Sequence, residues 1–208
     1  YADVLITHNR AFAHELSTQG FNAHFIPESW VDPGGRWQKP VRPRHSLNLG
    51  WIGHPNQLED VAQVRGVVLR VMREFPHLQL IIAGDDGVYS LFDSLPVSRR
   101  IYLPSAAPDD LPFVYGMLDL LLLPLQDTAF NRMLSDLKVM EAGLRGIPWL
   151  ASPVPAYMEW NAGGVCAAAL QDWQHQLQRL VVDAGLRTSL GAQGRRQALE
   201  RHAGRMTP

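Results

Sequence analysis

Lys138 and Glu141 are the two residues whose types and spacing point most directly to chemistry. They stand three positions apart on a helix that the pattern predicts over about 135–145, with Ser135 or Asp136 as the N-cap. A lysine in the first helical turn opposes the helix dipole, which makes sense if an anion such as a diphosphate lies between the two. Glu141 shares its helix face and could accept two hydrogen bonds from a ribose diol. The bland alternative is a surface Lys–Glu pair worth about 0.2–0.5 kcal/mol.

A second segment with chemical potential is the glycine-containing stretch that runs from Gly50 to Asp60. Gly50 and Gly53 permit close approach of the backbone to a ligand, and a helix predicted to begin near Asn56 would offer free amides to an anion. The alternative is an ordinary strand-to-helix turn. His54 on its own is more typical of a surface turn than of a ligand contact.

The elements that must position these residues are short apolar runs alternating with helical patterns. Predicted strands cover 46–52, 78–83, 100–103, 118–123, 149–151 and 165–167. Predicted helices cover 58–75, 109–117, 135–145, 170–184 and 186–203. Strands that are apolar throughout, each followed by a helix, indicate an α/β fold with a doubly wound, Rossmann-like parallel sheet. Both segments described above then follow the carboxyl ends of strands, where such sheets bind ligands.

The first part of the chain predicts a separate unit. A strand over 2–7, a helix over 10–19 and a strand over 24–26 precede a stretch rich in proline and glycine. The chain also opens on Tyr1 rather than methionine. We therefore expect residues 1–44 to be the tail of a preceding domain with an interdomain linker, and residues 45–208 to be one complete domain.

Composition excludes several classes of function. The net charge is −1, so a nucleic-acid-binding surface is not expected. The single cysteine excludes an internal disulfide and a cysteine-based zinc site. The chain contains no P-loop, no Gly-x-Ser-x-Gly elbow and no Asp-x-Asp pair. We therefore expect no metal and no cofactor other than the substrate.

The residues of the 118–152 segment carry a family resemblance. Asp119 with its run of four leucines, Phe130-Asn131, Ser135-Asp136-Leu137-Lys138, Glu141-Ala142 and Gly146-Ile147-Pro148 closely resemble the donor-site segment of group-1 retaining glycosyltransferases with the GT-B fold. The stretch 50–60 is similar to the first loop of the C-terminal domain in that family, and 27–32 is similar to its interdomain stretch.

The resemblance implies a two-domain architecture in which this chain is the C-terminal, donor-binding half. It implies that Glu141 contacts the ribose of a nucleoside-diphosphate sugar and that Lys138 contacts its diphosphate, and these two are the expected catalytic residues. Asn131 and Ser135 match the loop beside the donor, and Leu103 and Pro104 match the loop that contacts the base. With Gly50, Gly53 and His54, these residues complete the expected donor site.

Two positions depart from the family pattern. The first glutamate of the family's paired-glutamate motif would fall at Met133, and His54 stands where the family's first loop often carries basic residues. They leave a non-catalytic GT-B-like module for nucleotide or protein binding as the main alternative. A receiver-like regulator using Asp85 and Asp86 is disfavoured, because neither lysine of the sequence suitably follows a later strand.

The expected function is transfer of a glycosyl group, with retention, to a saccharide, lipid-linked or other acceptor. The acceptor side would come from an N-terminal GT-B domain that this chain lacks, so the piece is expected to be inactive alone. A cytoplasmic location is expected, and a lipid-linked acceptor would add peripheral association with the inner face of the membrane.

Overall fold

The main sheet has six parallel strands. The computed structural model describes residues 2–32, 34–38, 46–160 and 162–201. Strands β3 (Leu47–Ile52), β4 (Leu78–Gly84), β5 (Arg100–Pro104), β6 (Leu120–Leu123), β7 (Trp149–Ala151) and β8 (Gly164–Cys166) lie in the order β5-β4-β3-β6-β7-β8. Chain order reverses between β3 and β6, which makes the gap between their carboxyl ends the topological switch point. The predicted doubly wound α/β fold is confirmed.

Helices cover both faces of this sheet. Their bounds are α2 (Leu58–Glu74), α3 (Asp86–Ser90), α4 (Leu111–Tyr115), α5 (Ala129–Arg132), α6 (Leu137–Leu144), α7 (Pro155–Met158), α8 (Leu170–Val182) and α9 (Ala184–Leu199). α2 packs with α8 on one face, while α6 packs with α4 and α9 on the other. Alternate strand residues divide between the two cores, with Leu80 and Ile82 in one and Ile81 in the other. Both cores are therefore apolar, which explains the continuous apolar strands.

The first unit consists of β1 (Leu5–Thr7), α1 (Arg10–Thr18) and β2 (Ala23–Phe25). Its two strands pair in parallel with each other and form a sheet separate from the six-stranded one. α1 packs against α7, and Arg10 lies 3.7 Å from the Glu159 carboxylate. The predicted linker lies in part outside the described residues, at 33 and 39–44, and assignment of 1–44 to a preceding domain stays a prediction.

Glycine allows α9 to lie close to α6. A Cβ built on Gly194 would approach the Gly163 Cα to 2.8 Å, and one on Gly143 would approach the Gly194 carbonyl oxygen to 2.7 Å. The indole nitrogen of Trp30, in the stretch before the linker, donates to the Ala198 carbonyl of α9 at 2.9 Å. The contact at Gly143 sets how closely α9 packs on α6, the helix that carries Lys138 and Glu141, and the other two fix α9 against Gly163 and Trp30.

Replacing Asp183 with alanine is expected to lower the free energy of unfolding by about 1 kcal/mol. Its carboxylate caps α9 by accepting from the Leu186 amide at 2.8 Å. Chemical denaturation of the variant would measure the loss. Asp183→Asn is the control, since an amide oxygen caps equally well. Equal losses in both variants would contradict the capping role.

Candidate functional site

The candidate site lies where the loops after β3 and β6 leave the same edge of the sheet. The loop after β3 runs from Gly53 into a 3-10 turn, Pro55–Gln57, and α2 then begins at Leu58. The helix start expected near Asn56 is therefore a 3-10 turn. The loop after β6 carries α5 and leads into the first turn of α6.

Lys138 occupies the first turn of α6, as predicted. Its Nζ donates to Gln57 Oε1 at 2.9 Å and lies 5.9 Å from the centre of the Trp51 ring. Burial lowers the pKa of Lys138 to about 8, against the opposing effect of the Glu141 and Asp60 carboxylates. Within the described part of the chain, no carboxylate forms an ion pair with Nζ. The ammonium is thus a desolvated cation that an incoming anion would stabilise.

Glu141 lies one turn further along the same face of α6. Its Oε2 accepts a hydrogen bond from the Tyr115 hydroxyl at 2.8 Å. Burial raises the pKa of Glu141 to about 7; the Tyr115 bond and the Lys138 charge oppose this, and the Glu28 carboxylate adds to it. Burial, and then the Glu141 charge, hold the pKa of Tyr115 well above its ordinary value. Tyr115 therefore remains a neutral donor that fixes the Glu141 carboxylate.

Two cavities meet at Leu137 on α6. The first, here called the lysine cavity, has a volume of about 230 Å³, and its walls include His54, Gln57, Ser135 and Lys138. The second, here called the linker cavity, has a volume of about 600 Å³ and is lined by Glu141, by residues of α4 and by residues 29–32, 34, 36 and 37. The two predicted catalytic residues thus open onto adjoining cavities along one helix.

The glycines of the first loop serve packing. A Cβ on Gly50 would lie 2.3 Å from the Leu118 side chain, so this glycine makes room for the core. A Cβ on Gly53 would lie 2.3 Å from the Trp51 ring and 2.6 Å from Gln57 Oε1. The absence of a side chain at Gly53 lets Gln57 turn back toward Lys138. Direct contact of either glycine with a donor stays a prediction.

The loop after β6 is organised by a buried carboxylate. Asp60 Oδ1 accepts from the Gln126 amide at 2.8 Å and from Asn131 Nδ2 at 2.9 Å. Asn131 Nδ2 also donates to the Gln126 carbonyl at 3.0 Å, so the amide group of Asn131 holds the loop. Ser135 lies on the wall of the lysine cavity, where a ligand could reach its hydroxyl.

Of the remaining residues predicted for the donor site, His54 lines the lysine cavity, whereas Leu103 and Pro104 do not. His54 is exposed and lines the lysine cavity, and its backbone amide faces Gln57 Oε1 at 3.4 Å. Leu103 and Pro104 end β5, and neither is among the described wall residues of the two cavities. Their contact with a base stays a prediction.

Asp136 is the N-cap residue of α6, but its side chain makes no capping hydrogen bond. Its carboxylate instead accepts from the Trp160 indole nitrogen at 2.7 Å and pairs with Arg201. Of the two side chains expected to cap α6, Ser135 alone contacts its first turn, where its hydroxyl accepts weakly from the Leu137 amide at 3.4 Å. Free amides at a helix N-terminus attract anions.

Sequence reasoning did not assign Gln57, Asp60 or Tyr115 to the site. Gln57 and Asp60 lie in the glycine-containing segment, but nothing in their types shows that one contacts Lys138 and the other Asn131. Tyr115 reaches Glu141 across 26 positions of sequence, for which no local signal exists.

Over the described ranges, no group of three histidine, cysteine, aspartate or glutamate side chains is placed to hold a metal ion. Over the same ranges, no helix has the length and apolar character needed to cross a membrane.

Solved structures of other proteins share the fold of this chain. No protein-family model matches the chain, and no curated protein matches it in sequence. HepE (Alr3699) from Anabaena, solved in complex with UDP-glucose, matches with a TM-score of 0.73 at 16% identity, over 97% of this chain and 60% of that one. The C-terminal domain of LpcC, a group 1 family glycosyl transferase from Francisella tularensis, matches with a TM-score of 0.63 at 15% identity, over 86% of this chain and 96% of the domain.

Sucrose-phosphate synthase from Thermosynechococcus elongatus matches with a TM-score of 0.70 at 15% identity, over 97% of this chain and 54% of that one. This chain therefore spans little more than half the length of HepE and of the synthase, and nearly all of the LpcC domain. The chain has the fold of the C-terminal domain of group-1 glycosyltransferases with the GT-B architecture.

Proposed function

We propose that this chain is the donor-binding part of a glycosyltransferase that uses a nucleoside-diphosphate sugar. The observation that carries the proposal is the pair formed by Lys138 and Glu141 at the switch point of the sheet. A desolvated ammonium and a carboxylate fixed by Tyr115 lie one helical turn apart, each on the wall of a cavity. An ammonium can bind a diphosphate through charge-assisted hydrogen bonds, and a carboxylate can accept hydrogen bonds from the hydroxyls of the adjoining ribose. HepE, which shares the fold, was solved with UDP-glucose.

The chemistry assigned to the pair is stabilisation of a leaving group. Breaking the bond between the anomeric carbon and the diphosphate oxygen leaves negative charge on the diphosphate while the glycosyl group passes to an acceptor oxygen. The Lys138 ammonium and the amides at the start of α6 would stabilise that charge. Glu141 would orient the donor by accepting hydrogen bonds from the ribose hydroxyls. Retention of anomeric configuration is part of the proposal and rests on the family resemblance.

The contacts available support modest affinity. A charge-assisted hydrogen bond contributes about 1.5–3 kcal/mol, whereas micromolar binding requires about 8 kcal/mol. Lys138, Glu141 and the α6 amides together approach that value. We propose that the chain binds the donor weakly and that transfer needs acceptor contacts from a preceding domain. No metal is invoked, because Lys138 and the helix amides supply the positive charge.

Titration of the labelled protein with UDP, GDP and UDP-glucose, followed by NMR, tests the proposal. We expect shifts of the α6 amides around Lys138 and Glu141 with at least one of these compounds. The absence of any shift in α6 with all three would overturn the proposal.

Nucleotide affinity is expected to be greatest between about pH 7 and 8. Below about pH 7, Glu141, whose pKa is raised to about 7, becomes protonated, so one of its oxygens carries a proton and the group accepts from the ribose less strongly. Above about pH 8, Lys138, whose pKa is lowered to about 8, loses its charge. Affinity should fall up to about tenfold per pH unit outside this window. Isothermal titration calorimetry with UDP across this range measures the profile.

Glu141→Gln is the control for the acidic side of that profile. It removes the titrating carboxylate and leaves Lys138 in place, so its affinity should be lower near neutral pH but flat toward acid. The alkaline decline should persist but begin below about pH 8, because Lys138 still titrates and no longer has the Glu141 charge that raises its pKa. An unchanged acidic decline in Glu141→Gln would show that another group titrates.

A non-catalytic module for protein contacts is the second candidate. Met133 at the expected position of a glutamate favours it, as does a first loop whose nearest basic residue is the exposed His54. Binding measurements on the Lys138 and Glu141 variants distinguish the two candidate functions. Loss of nucleotide binding in both supports the transferase, whereas a protein partner that binds both variants normally supports the module.

A further inference from the structure

The Asn9 side chain joins the first unit of the chain to the loop beside the candidate site. Asn9 is 2% exposed. Its Oδ1 accepts from the Phe12 amide at 2.8 Å and caps α1. Its Nδ2 donates to the Arg132 carbonyl at 2.9 Å and to the Leu134 carbonyl at 2.8 Å. Both amide hydrogens therefore bind a loop more than 120 positions away in the sequence.

Those two carbonyls belong to the turn that leaves α5. The last carbonyls of a helix have no partner within it and need one from outside. In this turn the Met133 amide donates to the Phe130 carbonyl at 3.0 Å, and the Leu134 amide donates weakly to the Asn131 carbonyl at 3.3 Å. Asn9, which belongs to the first unit, thus adds two hydrogen bonds to this turn from outside it.

The same turn forms one end of the lysine cavity. Leu134 and Ser135 line that cavity together with Lys138, and the turn leads directly into α6. Under the proposed function, the donor runs along α6 with its ribose at Glu141 and its diphosphate at Lys138. The glycosyl group is attached on the far side of the diphosphate, so it must lie toward Ser135. The turn held by Asn9 is therefore at the sugar end of the donor.

We infer that Asn9 is a positioning residue that sets the sugar end of the donor site through the carbonyls of Arg132 and Leu134. The inference rests on the proposed function for its consequence, but its physical link is independent of any ligand. It makes the β1–α1–β2 unit a structural part of donor recognition. It also separates two roles of one side chain, since the oxygen caps α1 and the nitrogen holds the turn.

Asn9→Asp separates these roles, because aspartate caps a helix as well as asparagine does but cannot donate. We expect amide hydrogen exchange at Met133 and Leu134 to become at least about tenfold faster. The dissociation constant for UDP-glucose should rise about tenfold or more, while that for UDP should change less than about threefold. A general loss of stability would change the two constants together.

Asn22→Asp is the matched control, since Asn22 belongs to the same unit and donates only locally, to the Asp3 carbonyl at 3.1 Å. It should leave exchange at Met133 and Leu134 unchanged. If Asn9→Asp does not fold, Asn9→Ser replaces it, because serine also caps α1 without reaching both carbonyls. Unchanged exchange at Met133 and Leu134 in a folded Asn9 variant would overturn the inference.

The ligand-binding and hydrogen-exchange measurements distinguish failure of the proposed function from failure of the inference about Asn9. If the unmodified protein binds none of UDP, GDP and UDP-glucose, the proposed function fails. Faster exchange in the Asn9 variant would then still establish its hold on the turn. If the unmodified protein binds both and the variant loses affinity for both equally, Asn9 supports the fold and not the sugar end, and the inference fails.

Discussion

Replacing Lys138 with methionine is expected to weaken binding of UDP and UDP-glucose about 100-fold or more. Among the described wall residues of the lysine cavity, Lys138 is the one lysine or arginine. Without its charge, the diphosphate would be left with the amides at the start of α6. One charge-assisted hydrogen bond contributes about 1.5–3 kcal/mol, and an ammonium can make more than one with a diphosphate. Calorimetry near pH 7.5, where affinity is expected to be greatest, measures the loss.

The same substitution is expected to change the free energy of unfolding by less than about 1 kcal/mol. Burial lowers the pKa of Lys138 to about 8, so the ammonium form is costly in the folded protein. Methionine has a similar length and carries no charge, so Lys138→Met removes the cost of burying the ammonium. The variant also loses the 2.9 Å hydrogen bond from Lys138 Nζ to Gln57 Oε1. Loss of binding without loss of stability is the expected signature of a lysine kept for a ligand.

Arg132→Met is the control for net charge. Arg132 lies on α5 near the same cavity, where its exposed guanidinium pairs with Asp127 at 2.5 Å. Its replacement changes the net charge by the same amount and should weaken binding less than about threefold, since exposed charges are well screened. Equal losses in Lys138→Met and Arg132→Met would mean that general electrostatic attraction, and not a specific contact, holds the nucleotide.

Lys138→Arg tests the alkaline side of the pH profile. Arginine remains charged at every accessible pH, so binding should persist, and the decline above about pH 8 should disappear. A decline that persists in this variant would assign the titration to another group.

The parallel sheet and the placement of Lys138 and Glu141 on one helix face could be predicted from the sequence, because both depend on local patterns. The run Leu120–Leu123 is apolar at every position and buried on both faces, as a central parallel strand requires. The spacing of Lys138 and Glu141 places them on one face of α6, and each affects the pKa of the other in the structure. Those features need only the period of a strand or a helix.

The contacts that shape the site could not be predicted in the same way. Gln57 and Lys138 are 81 positions apart, and Asp60 and Asn131 are 71 apart. Such pairs arise because parallel strands bring the loops after β3 and β6 to one edge. Which side chains meet there depends on loop paths that no periodicity specifies.

Three short helices were also not predicted. α3, α5 and α7 contain five, four and four residues. A helix of one turn shows no amphipathic period, so only its cap could reveal it. Thr128 does cap α5, accepting from the Asn131 amide at 3.1 Å, and is the signal that could have located this helix.

Gly84→Ala is expected to lower the free energy of unfolding by about 3–5 kcal/mol. Gly84 ends β4 with φ of +114°, a conformation that L side chains rarely adopt, and strain of this kind costs about 1–3 kcal/mol. A Cβ there would also lie 2.0 Å from the Gly53 carbonyl oxygen, so the backbone must move at a further cost of about 1–3 kcal/mol. Chemical denaturation measures the total.

Two glycines of the same chain separate these effects. Gly20, with φ of +88°, has open space where a Cβ would stand, so Gly20→Ala should show strain alone, about 1–2 kcal/mol. Gly66 lies within α2 with the same open space, and Gly66→Ala should stabilise the protein by about 0.5–1 kcal/mol. Because Gly53 carries the loop that turns Gln57 toward Lys138, Gly84→Ala should also weaken nucleotide binding, whereas the other two should not. A Gly84→Ala protein as stable as Gly20→Ala would show that the Gly53 carbonyl moves aside freely, and normal binding by it would show that the loop does not need this contact.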